Sequence, residues 1–220
     1  YPHFAIPEPR IGFLQECLRW WDYWLKGIDT GVMEEPQYRV YMEESERPAA
    51  YLVHRKGRWV AEPGWPSPNI RDEVWSLNPQ GLEATKGEET ALIVSSPQTT
   101  GLVGGEWCPI WLGPDSPTDQ RSDDAGSLCF DSAPLSERLE ILGAPVVELE
   151  LASDRPQAFV VVRLCEVFPD GCSARVTFGV LNLTHRESHE YPKPLTPGER
   201  VRVRVQLNDI AHAFAPGNRL

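Results

Sequence analysis

The sequence predicts a mainly β protein whose C-terminal two thirds form a β-sandwich, preceded by one amphipathic helix and a few short strands. The first supporting observation is the stretch Val160 to Leu183. Apolar residues alternate at Val160, Val162 and Leu164 and again at Ala174, Val176, Phe178 and Val180, on either side of Pro169, Asp170 and Gly171. That pattern is a long hairpin, with Pro presetting φ for the turn and Gly supplying positive φ without steric cost. The second observation is the pair of alternating runs that flank it, Val147, Leu149 and Leu151 before and Val201, Val203, Val205 and Leu207 after. A lone hairpin is unstable in water, so its apolar face calls for the second sheet these runs supply. The third is charge: Glu148 and Glu150 face outward on one run, Arg202 and Arg204 on the other, and opposite charges across neighbouring strands support pairing of the two runs.

In chain order, Ile11, Leu14, Leu18, Trp21 and Leu25 recur at helical spacing, Glu16, Arg19, Asp22 and Lys26 take the other faces, and Gly27 follows as a stop. The helix is expected to bury Trp21 and Leu25, resting on the strand around Tyr38 to Met42 and on a further body outside this chain, and to leave Asp22 and Lys26 in water. Trp20, Tyr23 and Trp24 widen the apolar face, so Trp20 and Trp24 are expected to stay exposed. Three tryptophans in five residues offer a stacking platform for a sugar or a base, but their place within one helical period favours packing. Alternation at Tyr38, Val40 and Met42 predicts a strand, and Ala50 to Val53 with Arg58 to Val60 a short hairpin over Lys56 and Gly57. Three prolines between Glu62 and Pro68 mark a boundary. The chain divides there into residues 1–64 and 65–220. Val74 to Leu77, Ala91 to Val94 and Ser127 to Phe130 read as strands, as does Leu139 to Leu151. A loop as long as Ser95 to Asp124 is functional or packed down by its own aromatics, and Trp107 and Trp111 are its anchors.

Composition narrows the partners. With 21 basic and 32 acidic residues the net charge is −11, which opposes nucleic acid and anionic membranes. No apolar run approaches the length of about 20 residues that spans a bilayer. The N-terminus has no basic-then-apolar layout, and a start without Met suggests a piece of something longer. Five cysteines, an odd number without C-x-x-C spacing, point to reduced thiols and a cytoplasmic setting. Cys165 and Cys172 flank the hairpin turn and could face each other, but the same reducing setting argues against a bridge.

No complete active site is legible. No serine carries glycine at both −2 and +2, as a G-x-S-x-G elbow requires; Ser173 follows Gly171 but precedes Arg175. His185 and His189 stand four apart with Glu187 between, yet they follow a strand and no third ligand accompanies them, so no metal is expected. Asp123 with Asp124, and Asp170 with Gly171, lack the ligand density of a calcium loop and read as turns. Asn182-Leu183-Thr184 is a glycosylation sequon, relevant only to a secreted chain. No cofactor is expected.

The order of motifs nevertheless resembles a known family. Gly113-Pro114-Asp115 to Asp119-Gln120-Arg121, Leu128 to Leu135, Leu139 to Gly143, Val167 to Gly171, and Arg186-Glu187-Ser188 followed by Pro197-Gly198-Glu199 are similar to the C-terminal domain of the X-Pro dipeptidyl-peptidase and cocaine-esterase (CocE/NonD) serine hydrolases. The match runs from about Trp65 to the end. It implies a jelly-roll, galactose-binding-like domain packed on an α/β-hydrolase domain that carries Ser, Asp and His. The N-terminal stretch from Tyr1 to Gly27 is similar to the segment just after the family's catalytic histidine, making residues 1–64 the end of the hydrolase domain. His3 falls a few residues too late to be that histidine, so the triad is expected upstream of Tyr1 and no catalytic residue within the chain.

The resemblance therefore implies a non-catalytic C-terminal part of a serine hydrolase, with Trp107 and Trp111 as substrate-cleft candidates. Its partners would be the catalytic domain of the same parent chain and that parent's small ester or peptide substrate. It also implies a final strand beginning at Arg219 and pairing with Leu128 to Phe130. Cutting that strand would leave an open edge, through which copies of the chain could associate. The rival is a stand-alone carbohydrate-binding or structural β-sandwich, which the same architecture often hosts.

Overall fold

A computed structural model of the chain describes residues 5–105 and 115–220. In order, the elements are α1 (Phe13–Lys26), β1 (Tyr38–Glu44), β2 (Gly57–Glu62), β3 (Ser76–Asn78), β4 (Gly81–Glu83), α2 (Arg121–Asp124), β5 (Leu139–Gly143), β6 (Val146–Leu151), β7 (Phe159–Val167), β8 (Ser173–Asn182), β9 (Val201–Gln206) and β10 (Ile210–Phe214). The protein is mainly β, as the alternation predicts. Among the described residues no helix is long and apolar enough to cross a membrane.

The long hairpin is present as β7 and β8, antiparallel from Phe159 opposite Asn182 to Val167 opposite Ser173. Its turn uses the chemistry of its residues: Gly171 has φ +83°, and the Asp170 carboxylate accepts the Cys172 N–H at 3.2 Å. The facing of β8 differs from the alternation. Leu164 pairs with Thr177 but Cys165 with Arg175, so Val176 is an extra, bulged residue. Beyond the bulge, Thr177, Gly179 and Leu181 share a face with Leu164, Val162 and Val160. Val180 lies instead on the outer face and is 53% exposed, because a one-residue slip exchanges the two faces of a strand.

β6 and β9 pair antiparallel with Glu148 opposite Arg204 and Glu150 opposite Arg202, so the opposite charges stand directly across from each other. Glu150 accepts from Arg200 and Arg202, each at 3.2 Å. The inward faces of the two ribbons supply the core: Leu149, Leu151, Val160, Val162, Leu181 and Val201 pack around buried Leu183, Leu195, Val203 and Val205.

The remaining sheet runs β2-β1-β10-β5. β1 is antiparallel to β2, from Tyr38 opposite Glu62 to Glu43 opposite Gly57, and parallel to β10 at Glu43 and Glu44. This replaces the hairpin expected between Ala50 to Val53 and Arg58 to Val60: the second run is β2, the first is not a strand, and β1 is the partner. Gly57 permits the approach, since a Cβ there would lie 2.4 Å from the Met42 carbonyl oxygen. The expected Val74 to Leu77 strand shortens to β3, paired with β4.

Two expected strands do not form among the described residues. Ala91 to Val94 has no strand partner among them, and Ile93 and Val94 are exposed. Ser127 continues the turn out of α2, its N–H on the Asp124 carbonyl and its hydroxyl on that of Asp123, and Leu128 to Phe130 form no strand among the described residues. Arg219 bridges Val167, and the Leu220 carbonyl accepts the Ser132 N–H at 2.9 Å, just past the run expected to pair with the final strand. The proline-rich Glu62 to Pro68 folds back on the sheet. The Glu62 carboxylate accepts from the Ser67 hydroxyl and, at 2.8 Å, from the Asn69 amide, while Trp65 lies over Tyr38 with ring centroids 5.0 Å apart.

Candidate functional site

The helix α1 presents its apolar side outward. Gly27 closes it with φ +67°, its N–H on the Tyr23 carbonyl and that of Ile28 on Asp22, an αL stop of the kind glycine favours. On the inward side, Arg19 bonds Glu35 at 2.5 Å and Glu16 at 3.1 Å. Thr30 donates its hydroxyl to the Arg19 carbonyl at 3.1 Å, and Arg39 of β1 stands 3.6 Å from Glu16. Ion pairs therefore tie the helix to the sheet through its polar face. Trp21 and Leu25, expected to be buried, are 52% and 74% exposed. Phe13, Leu14, Leu18, Trp20 and Trp24 are exposed with them, and no residue of the helix is buried. A contiguous apolar face of this kind marks an interaction surface.

The second feature is the anchor of the long loop. Gln120 is fully buried; its amide donates to the Val103 and Thr118 carbonyls at 2.8 and 2.7 Å, its oxygen accepts from Arg163 at 3.0 Å, and its N–H bonds the Ser173 carbonyl at 2.8 Å. Arg163 also holds Asp124 at 2.9 Å, with buried Asp123 at 3.8 Å. Asp119 accepts the Ser173 N–H and pairs with Arg121. Burial pushes the Asp119 carboxyl up, but hydrogen bonds from the Arg121 guanidinium and from the Ser173 and Arg121 N–H groups outweigh it and bring it to about 2. These contacts fix both described ends of the loop to the β7–β8 hairpin. Beside them a shallow cavity of about 570 Å³ is lined by Val94, Thr100, Leu102, Asp123 and Leu128 among others. Trp107 and Trp111, the cleft candidates, lie outside the described residues, as does His3.

The histidine, Asp170 and Asn182 candidates have structural partners. Ser173, nearest to an elbow serine, is 1% exposed within β8. His212 bonds Glu166, His54 stands 3.6 Å from Glu8, and His185 and His189 face each other; none of these partners is a serine. Asp170 pairs with Arg47 at 2.9 Å, and Asn182 accepts from the Thr184 N–H and hydroxyl. Cys17, Cys129, Cys165 and Cys172 are free thiols. Burial pushes the Cys165 thiol up to about 11, with the nearby Asp124 charge adding to it.

One cluster has no signature in the sequence. Glu166, fully buried, accepts from His212 at 3.0 Å, from the Ala215 N–H at 3.0 Å and from the Asn218 amide at 2.7 Å. Asn218 also reaches the Ser45 hydroxyl at 3.2 Å. The cluster joins β7, β10, the residues after β1 and the C-terminal turn.

Comparison with known proteins assigns the architecture. The family model for the X-Pro dipeptidyl-peptidase C-terminal non-catalytic domain matches residues 30–220. A Mycobacterium bovis protein named as a serine esterase is 27% identical over 252 aligned positions, covering 100% of this chain and 37% of its own length. The cocaine esterase of a Rhodococcus species is 27% identical over 182 positions, covering 74% of this chain and 31% of its own. Among solved structures, a CocE/NonD family hydrolase from Staphylococcus aureus superposes with TM-score 0.65 at 17% identity, covering 94% of this chain and 36% of that one. The chain thus spans about a third of the length of the relatives it matches. With nearly all of its sheet within the matched span, the chain belongs to the X-Pro dipeptidyl-peptidase C-terminal non-catalytic domain family.

Proposed function

We propose that this chain is the C-terminal part of a larger serine hydrolase and that it docks on the catalytic domain of the same protein through the outward apolar face of α1. The exposed row of Phe13, Leu14, Leu18, Trp21 and Leu25 carries this reading. Each such side chain is worth about 1.5–3 kcal/mol when taken out of water, and the helix is already tied to the sheet by its polar side, leaving the apolar side for another body. In this reading the segment that carries α1 closes the hydrolase domain, and the jelly roll beside it includes β1 and β2, which share a sheet with β10 and β5. The 95–124 loop, with Trp107 and Trp111, forms one wall of the cleft for a small ester or peptide. The parent supplies the triad. It acts in the cytoplasm, in keeping with the free thiols.

The test places Leu18→Glu with Trp21→Glu in the natural full-length protein and in this chain alone. The expected result is loss of ester turnover and a lower melting temperature for the full-length protein, with an unchanged circular dichroism spectrum for the isolated chain. Unchanged turnover and melting in the full-length variant would contradict the reading.

A further inference from the structure

We propose that His185 and His189 form a surface site for one divalent late transition-metal ion, bound through Nδ1 of both rings with solvent filling the remaining positions. The two Nδ1 atoms lie 3.3 Å apart, with ring centroids at 5.4 Å. Two metal–imidazole bonds of about 2.0–2.1 Å meeting at a tetrahedral angle place their nitrogens about 3.3–3.4 Å apart, so the spacing needs little adjustment. Helical spacing is not what brings the rings together. His185 ends a short 3-10 turn, Leu183–His185, and His189 lies in the irregular segment after it.

The backbone that carries them is closed on itself. Asn182 caps the turn through Thr184, and the Lys193 N–H returns to the Thr184 carbonyl at 2.8 Å. Arg186 clamps the carbonyls of Leu183 and Lys193 at 3.0 and 2.9 Å. The Ser188 hydroxyl accepts the N–H groups of Glu190 and Tyr191. Both imidazoles therefore stand on a fixed platform, and holding two ligands ready lowers the ordering cost of binding. His189 is exposed and His185 half-buried, so an ion reaches the pair directly.

Glu187 is engaged by Lys193 at 2.7 Å. No group of three or more ligating side chains gathers among the described residues. A bound ion keeps open positions, and two neutral imidazoles favour copper, nickel or zinc over magnesium or calcium.

Titration with Cu²⁺, followed by calorimetry and by electron paramagnetic resonance, tests the site in wild type, His185→Asn and His189→Asn. The expected result is one equivalent bound with the hyperfine signature of two imidazole nitrogens. Each substitution should weaken that binding by more than about tenfold while leaving circular dichroism unchanged. Weakening by only one of the two substitutions, equal binding by all three proteins, or no binding by the wild type would overturn the proposal. His54→Asn serves as a control and is expected to leave the one-equivalent phase in place.

Discussion

Glu166 and His212, 46 residues apart in sequence, meet inside the protein with carboxylate oxygen and ring nitrogen 3.0 Å apart. The contact links the second half of β7 to the middle of β10, and Asn218 and the Ala215 N–H complete the carboxylate's shell. Removing the carboxylate strands buried His212 and the Ala215 N–H and leaves the Asn218 amide only Ser45, at about 3–5 kcal/mol. Glu166→Ala should therefore lower the unfolding free energy by about that amount in urea titration, and a loss below roughly 1 kcal/mol would show that the cluster is not a tie.

Stability should fall on acidification. Burial raises the Glu166 carboxyl, but hydrogen bonds from His212, Asn218, the Ala215 N–H and Ser45 outweigh it, leaving it below the usual carboxylate range. Asp119 is likewise held down, at about 2. In the unfolded chain both groups take up protons near pH 4, so the unfolded state binds more protons as pH drops. Their contribution is present above about pH 4–5 and is lost as pH falls toward 2. Urea midpoints at pH 7, 4 and 3 should decline in that order, and Asp119→Asn should flatten the decline. A midpoint that rises on acidification would contradict the assignment.

Local chemistry is legible in the sequence, and long-range pairing is hidden. Pro169, Asp170 and Gly171 declare their turn, Gly27 its helix stop, and the Glu148, Glu150, Arg202 and Arg204 charges support the β6–β9 pairing without choosing between the direct and the diagonal register, because each acts through neighbours or through strict alternation. The bulge at Val176 is invisible to a period of two, so alternation assigns the outward side of β8 wrongly. β10 carries alanines and a buried histidine rather than alternating residues, and only its place between β1 and β5 makes it a strand. For α1, periodicity tells which residues share a face but not which side the body lies on; the Arg19, Glu35 and Arg39 ion pairs decide that. The cleft candidates Trp107 and Trp111 rest on the length and composition of their loop and on the family resemblance, and lie outside the described residues.

Gly179 fixes how closely β8 approaches the end of β9. A Cβ at this position would lie 2.4 Å from the Gln206 carbonyl oxygen, a backbone atom that cannot swing away. Gly179→Ala should cost about 1–3 kcal/mol through overpacking, read as a lower urea midpoint. A neutral effect would mean that the two strands separate without penalty.

The outward charges on β6 and β9 are exposed and should couple only weakly. A double-mutant cycle on Glu150 and Arg202 should show favourable coupling at low salt that disappears near 1 M salt, where screening acts within about 3 Å. Coupling that persists at high salt would contradict an exposed pair.

Hydrogen–deuterium exchange over Phe13 to Lys26 reads whether the outward face of α1 docks on another body. The measurement compares this chain alone with the same segment in the natural full-length protein. In isolation the helix has no buried residue, so its amides should exchange readily. In the full-length protein, burial against the catalytic domain should slow them, by about tenfold for each 1.4 kcal/mol of docking energy. Equal exchange in the two proteins would show that the apolar face meets nothing and would contradict the account.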